Sequence, residues 1–119
     1  MGIIVQKFGG TSVADATKIQ NVARRVILEH EKGSRVVVVV SAMGDATDRL
    51  MRLAHQISVD PSDRELAMLL STGEQVSIAL LAMAVSELGY QAISLTGTQV
   101  GIVTGGFYSE ARIRHINEK

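Results

Sequence analysis

Lys7-Phe8-Gly9-Gly10-Thr11-Ser12 follows an apolar segment (Ile3, Ile4, Val5) and precedes a stretch with helical spacing. A cation, two glycines and two hydroxyls at a strand-to-helix turn are suited to holding a phosphate. The lysine brings positive charge, and the glycines let backbone N–H groups approach an anion closely. The start of the helix adds unpaired N–H donors and the positive end of its dipole. A second small turn, Ser41-Ala42-Met43-Gly44, follows five consecutive valines at 36–40. Ligands of open α/β sheets sit at the carboxyl ends of the strands. The two turns therefore converge on one edge, a more specific signal than either turn alone.

Each of these residues also has a plain structural reading. Gly9-Gly10 can be only a tight turn, Lys7 a solvated strand-end charge, and Ser41 or Thr47 a helix cap. Glu74 lies between two apolar helical runs, where an acid is out of pattern, and this favours a role for it. Asp45 and Asp48 near a turn are too short a cluster to define a cation site. His30, His55 and His115 lack ligand spacing, so no protein-held metal is expected. Met43, Met51, Met68 and Met83 read as core filling. Nothing matches G-x-x-x-x-G-K-[ST], and no G-x-G-x-x-G follows the first strand, so a different phosphate-handling family is required.

The elements that must position these residues emerge from periodicity. Ile19, Val22, Ala23, Val26 and Ile27 follow the i, i+3, i+4 spacing of a helix with one buried face. Ser12 with Asp15 resembles a capping box at its start, and Gly33 is its C-terminal cap. The five valines suit a strand buried on both faces. Strand, helix and strand within forty residues predict a parallel βαβ unit. Helical spacing resumes at Leu50, Leu53, Ala54 and Ile57. Pro61 breaks the chain, and Ser62 with Glu65 forms a second capping box. An apolar segment then runs from Leu66 to Leu88, interrupted at Ser71-Thr72-Gly73-Glu74-Gln75. Gly89 ends it, and Tyr90 to Leu95 reads as a third strand. Thr96-Gly97-Thr98 turns, and Ile102-Val103 with Ile113 to Ile116 suggests a short β pair around Gly105-Gly106. The reading is a three-layer α/β arrangement.

Composition narrows the function classes. The 119 residues are 46% hydrophobic, enough for one domain or a piece of one. Twelve basic and twelve acidic residues cancel, so nothing steers the surface toward nucleic acid or an anionic membrane. Two Phe, two Tyr and no Trp argue against base-stacking platforms. No cysteine is present, which excludes disulfides, thiol catalysis and thiolate metal sites. The opening Met-Gly-Ile-Ile-Val-Gln-Lys lacks the pattern of a signal peptide, and Gln6 does not fit a myristoylation signal. No run reaches the roughly 18 continuous apolar residues of a membrane span. A soluble, cytoplasmic chain is expected.

Taken together, Lys7 to Ser12, the valine strand leading into Ser41-Ala42-Met43-Gly44, Thr47-Asp48, Leu70-Ser71-Thr72-Gly73-Glu74, Thr96-Gly97-Thr98-Gln99 and Glu110-Ala111-Arg112-Ile113 resemble the aspartate kinases of the amino acid kinase superfamily. The resemblance covers essentially all 119 residues. It implies a three-layer α/β/α fold with a mainly parallel sheet, of which residues 1–119 form the N-terminal part. The nucleotide-base half and a regulatory ACT region would then lie outside this chain. The implied activity is ATP-dependent phosphorylation of the side-chain carboxylate of L-aspartate to 4-phospho-L-aspartate, the entry to lysine, threonine and methionine synthesis. A Mg²⁺ ion bridging phosphate oxygens, held mainly by ATP, is expected with it. By the same resemblance Lys7 contacts the transferring phosphate, with the Phe8 backbone, Gly9 and Gly10 around the nucleotide phosphates and Ser41 facing them. Thr47 and Glu74 would hold aspartate, Glu74 through the ammonium group, and the turn from Asp45 to Arg49 would line the same pocket. The isolated chain is expected to turn over slowly or not at all. Two alternatives stand beside this: a kinase of the same superfamily acting on another carboxylate or phosphate substrate, and a non-catalytic fragment serving as an assembly unit. A homo-oligomer, or association with the rest of the kinase, is expected through the sheet edge or the segment from Leu66 to Leu88.

Overall fold

The computed structural model describes residues 2–97, 99–100, 102–105 and 112–116. Strand β1 (Ile3–Phe8) leads through a 3₁₀ turn (Gly10–Val13) into helix α1 (Ala16–Glu31), which returns the chain to strand β2 (Arg35–Val40). Helices α2 (Ala46–Ile57) and α3 (Asp63–Glu87) follow, and then strands β3 (Ile102–Gly105) and β4 (Arg112–Ile116). β1 and β2 pair in parallel, with Lys7 opposite Val39 and Phe8 opposite Val40. β3 and β4 form a separate antiparallel pair, as the sequence suggests; Gly106 lies outside the described residues. The fold class is α/β.

The five α1 positions expected to face inward are all buried, and they pack with Phe8 and Val40 into one cluster. Leu81 and Val85 of α3 complete that core, with Val36, Val38 and Ile78 packed against it. The even-numbered side chains of β2 thus face the α1 and α3 layer. The odd-numbered ones do not: Ile3 and Val5 are each 65% exposed, Val37 50% and Val39 46%. The expected burial of the valine run on both faces is therefore not met within this chain. A parallel strand is covered on its second face only when another layer packs there, and the described residues supply one helical layer.

Three local expectations are also corrected. Ser12 does not cap α1: the backbone N–H of Ser12 bonds to the Gly9 carbonyl (3.1 Å) in the 3₁₀ turn, and Val13, fully buried, anchors that turn in the core. Asp15 is the cap instead, its carboxylate accepting from the N–H of Lys18 at 2.9 Å. Tyr90 to Leu95 is not a strand. Its backbone joins no ladder, while the Tyr90 N–H turns back to the Val85 carbonyl and Ile93 is exposed. Met68 and Met83 are exposed rather than core-filling, although Met43 does pack on the core.

The polar interruption at 71–75 does not break α3, because Ser71 and Thr72 turn their hydroxyls onto the carbonyls of Met68 and Leu69 and the helix continues. Ser62 caps it, its hydroxyl accepting from the N–H of Glu65 at 3.3 Å. Gly33 and Gly89 close α1 and α3 at φ +99° and +93°, the left-handed conformation that glycine adopts without strain. By length and composition α3 would pass for a membrane span, with mean hydropathy 1.5. Gly73, Ser77, Leu81 and Val85 form a buried stripe along it, while Met68, Val76, Leu80 and Met83 are exposed.

Candidate functional site

The carboxyl ends of β1 and β2 are joined by backbone rather than by side chains. The Ser41 N–H donates to the Phe8 carbonyl (3.2 Å) and extends the parallel ladder one step past the strands. The Gly44 N–H donates to the Gly10 carbonyl at 2.9 Å, tying the second turn to the first. A Cβ on Gly10 would lie 2.9 Å from the Ala42 carbonyl oxygen and 3.0 Å from that of Gly44. Only glycine fits there. Gly44 itself is held at φ +51°. A Cβ on Gly9 would meet nothing within 4 Å, so the space beside this residue is open. The two turns therefore do converge, as the sequence predicts, into one hydrogen-bonded edge.

Phe8 contributes only its backbone to that edge. Its ring is buried in the core, with the Arg25 guanidinium 5.2 Å from the ring centroid. Lys7, one residue earlier, alternates to the opposite, uncovered face of the sheet and is exposed. Ser41 is half-buried at the end of β2. Neither Ser41 nor Thr47 acts as a helix cap; Asp45 is the N-cap residue of α2, with Thr47 exposed in the first turn. Asp45 accepts an ion pair from Arg49 at 3.2 Å, with both side chains well exposed. Exposed i, i+4 pairs of this kind contribute little to stability, about 0.3–0.5 kcal/mol.

Glu74 occupies a distinctive place on α3. It falls seven and eleven residues before Leu81 and Val85, on the stripe that those residues bury against the core. Glu74 is nonetheless exposed, although Gly73 before it and Ser77 three residues on are both buried. Its neighbour Gly73 is buried, and a Cβ there would lie 3.0 Å from the Ala42 Cβ. Neither Lys7 nor Glu74 forms an ion pair among the described residues. The backbone brings the Gly9–Gly10 turn, the Ser41–Gly44 turn and Gly73, the residue before Glu74, together. No hydrogen bond or ion pair directly links Lys7, Thr47 and Glu74 to one another.

The close approach of Gly73 to Ala42 is not evident from the motifs that contain them. The one signal is general: glycine inside a helix runs against propensity and asks for a packing reason. A groove of about 440 Å³ lined by Ser86, Tyr90, Gln91, Ala92 and Ile93 lies elsewhere, past the C-terminal end of α3.

The chain matches the model of the amino acid kinase family over residues 2–119. It is 65% identical to an aspartokinase of Geobacillus stearothermophilus over 117 residues, which are 98% of this chain and 29% of that protein. It is 60% identical to aspartokinase 2 of Bacillus subtilis (strain 168), again over 98% of this chain and 29% of the relative. The crystal structure of aspartate kinase from Synechocystis superposes with a TM-score of 0.87 at 56% identity, covering 98% of this chain and 19% of that one. The chain thus spans under a third of the length of the curated relatives it matches.

Proposed function

The chain belongs to the amino acid kinase family, and from that premise we propose that it is the N-terminal part of a kinase domain that transfers the γ-phosphoryl group of ATP to the side-chain carboxylate of L-aspartate. The observation that carries the reading is the edge where two glycine turns are stitched by the Gly44 N–H to Gly10 carbonyl bond (2.9 Å), with Lys7 and Glu74 beside it and without ion-pair partners among the described residues.

Aspartate's side-chain carboxylate is already ionised at neutral pH, so no general base is needed to activate it. The obstacle is bringing one anion to another. Catalysis then rests on cationic charge, backbone dipoles and alignment. In this reading Lys7 neutralises charge on the transferring phosphoryl group. Gly9 and Gly10, with the Phe8 backbone, surround the nucleotide phosphates, and Ser41 faces them. Glu74 pairs with the ammonium group of aspartate, Thr47 contacts the same substrate, and the turn from Asp45 to Arg49 lines the pocket. Mg²⁺, when bound, would be held mainly by ATP and would offset phosphate charge. Losing one charge-assisted contact to the transition state costs ~3–4 kcal/mol of barrier. The segments that bind the nucleotide base, and a regulatory ACT region, are assigned to the remainder of the full-length protein, in the cytoplasm.

Two subordinate readings follow from particular residues. Glu74 favours an ammonium-bearing substrate, so an acylated amine is a poorer fit, and a substrate panel on the full-length enzyme separates these. The exposed apolar side chains Met68, Val76, Leu80 and Met83 of α3, with the uncovered sheet face, favour association with the rest of the kinase or with a second copy.

The test is calorimetric titration of L-aspartate and, separately, of Mg-ATP into the full-length protein and its Glu74→Gln variant. We expect aspartate affinity to fall about tenfold or more, as for loss of a charge-assisted bond, while ATP affinity stays within about twofold. Unchanged aspartate affinity would remove Glu74 from the site.

A further inference from the structure

We infer that Gly73, acting through Ala42, sets the distance between the phosphate-binding turn and the carboxylate of Glu74, making Gly73 a positioning residue for the amino-acid substrate. The inference rests on the proposed role of Glu74.

A Cβ on Gly73 would lie 3.0 Å from the Ala42 Cβ and 3.6 Å from Leu50 Cδ1. Carbon atoms in ordinary contact are about 3.5–4.0 Å apart, so α3 approaches the second turn as closely as a residue without a side chain permits. Ala42 is itself buried, and its carbonyl oxygen lies 2.9 Å from where a Gly10 Cβ would stand. Gly10, Ala42 and Gly73 therefore form a stack of three small residues running from the phosphate-type turn to α3. Glu74 is the next residue along the helix. Alanine is the better helix former at an interior position. What glycine supplies at 73 is therefore the close approach.

The stack has a stiff side and a soft side. Ala42 is fixed to the first turn by backbone bonds on either side of it, Ser41 N–H to Phe8 carbonyl and Gly44 N–H to Gly10 carbonyl. Between α3 and the Ala42 turn, by contrast, no backbone hydrogen bond is present among the described residues, and side-chain packing sets the separation. A methyl group at 73 would displace α3, and Glu74 with it, by some tenths of an ångström, leaving the phosphate turn in place. Small misplacements of a positioned group have large kinetic effects, up to about a hundredfold for 1 Å.

The experiment uses the full-length enzyme and compares Gly73→Ala, Ala42→Gly and the double variant, with Glu74→Gln as reference. We expect Gly73→Ala to raise KM for aspartate about tenfold, with KM for ATP within about twofold. Removing the opposing methyl in the double variant should return the aspartate KM to within about threefold of wild type. A merely structural role would move both KM values together and would not be rescued. If Gly73→Ala melts too early to assay, the double variant carries the test: an aspartate KM near wild type supports the spacing role, and one that stays raised overturns it. An effect of Glu74→Gln with a silent Gly73→Ala overturns the spacing role alone. A silent Glu74→Gln overturns the substrate reading and this inference with it.

Discussion

The two ends of the β1–β2 sheet handle their polar groups in opposite ways. At the amino ends of the strands the groups satisfy one another. The Arg35 N–H donates to the Gly2 carbonyl (3.0 Å), His30 Nδ1 donates to the Ser34 carbonyl (3.1 Å), and the Tyr90 hydroxyl donates to Glu31 Oε1 (3.0 Å). The His30 and Tyr90 rings meet edge to face at 5.8 Å. At the carboxyl ends the backbone is stitched as tightly, yet the Lys7 and Glu74 side chains form no ion pairs among the described residues. A clamp uses its side chains on itself. At the carboxyl ends only Asp45 and Arg49 pair among the described residues, on the surface at 3.2 Å, and Lys7 and Glu74 stay unpaired.

That contrast can be broken at either end. The largest effect is expected from Lys7→Ala in the full-length enzyme. Steady-state assays of ADP release should show kcat reduced about 10²–10³-fold, the usual cost of one lost charge-stabilising contact. The melting temperature should barely change, because the side chain is exposed. A Lys7→Ala enzyme with normal turnover would make this lysine the solvated strand-end charge of the plainer reading.

Next comes the stitching itself. Gly10→Ala would force a methyl to within 2.9 Å of the Ala42 carbonyl oxygen, whereas Gly9→Ala would meet nothing within 4 Å. Chemical denaturation should show a loss of about 1–3 kcal/mol for the first, the range for overpacking. The second should stay within about ±0.5 kcal/mol. Equal effects would mean that the two glycines are not distinguished by packing.

The smallest effect belongs to the far end. The hydrogen bond to Glu31, then partial burial and the glutamate's charge, hold the Tyr90 hydroxyl above its ordinary value of 10.0. A raised pKa means that folding favours the protonated hydroxyl. Its contribution is full below about pH 10 and is lost as pH rises through the raised value. Tyr90→Phe should lower the melting temperature slightly at neutral pH, flatten its decline above pH 10 and leave both KM values unchanged. A change in catalysis would show that the two ends are coupled.

Features written in nearest-neighbour chemistry were legible without coordinates. The buried stripe of α1, the left-handed glycines 33 and 89, the Ser62 cap and the two small turns at the strand ends each depend on residues within a turn or two of one another. The misread features depend on distant partners. Tyr90 to Leu95 has strand composition, but a strand exists only where a ladder receives it. The run of five valines suits burial on both faces, yet only the face that α1 and α3 reach is covered. Ser12 lost the cap to Asp15 because Val13 pulls the preceding turn into the core.

The sequence by itself thus determined the βαβ crossover, the two glycine turns at the strand ends and the types of charge around them, because periodicity and backbone freedom are local properties. Only the tertiary structure decided that Gly10, Ala42 and Gly73 stack, that Phe8 offers its backbone while its ring fills the core, and that Glu74 emerges from a buried stripe. The Gly10–Ala42 and Ala42–Gly73 approaches join segments more than thirty residues apart, set by how closely backbones can come together, and no local pattern encodes such a distance.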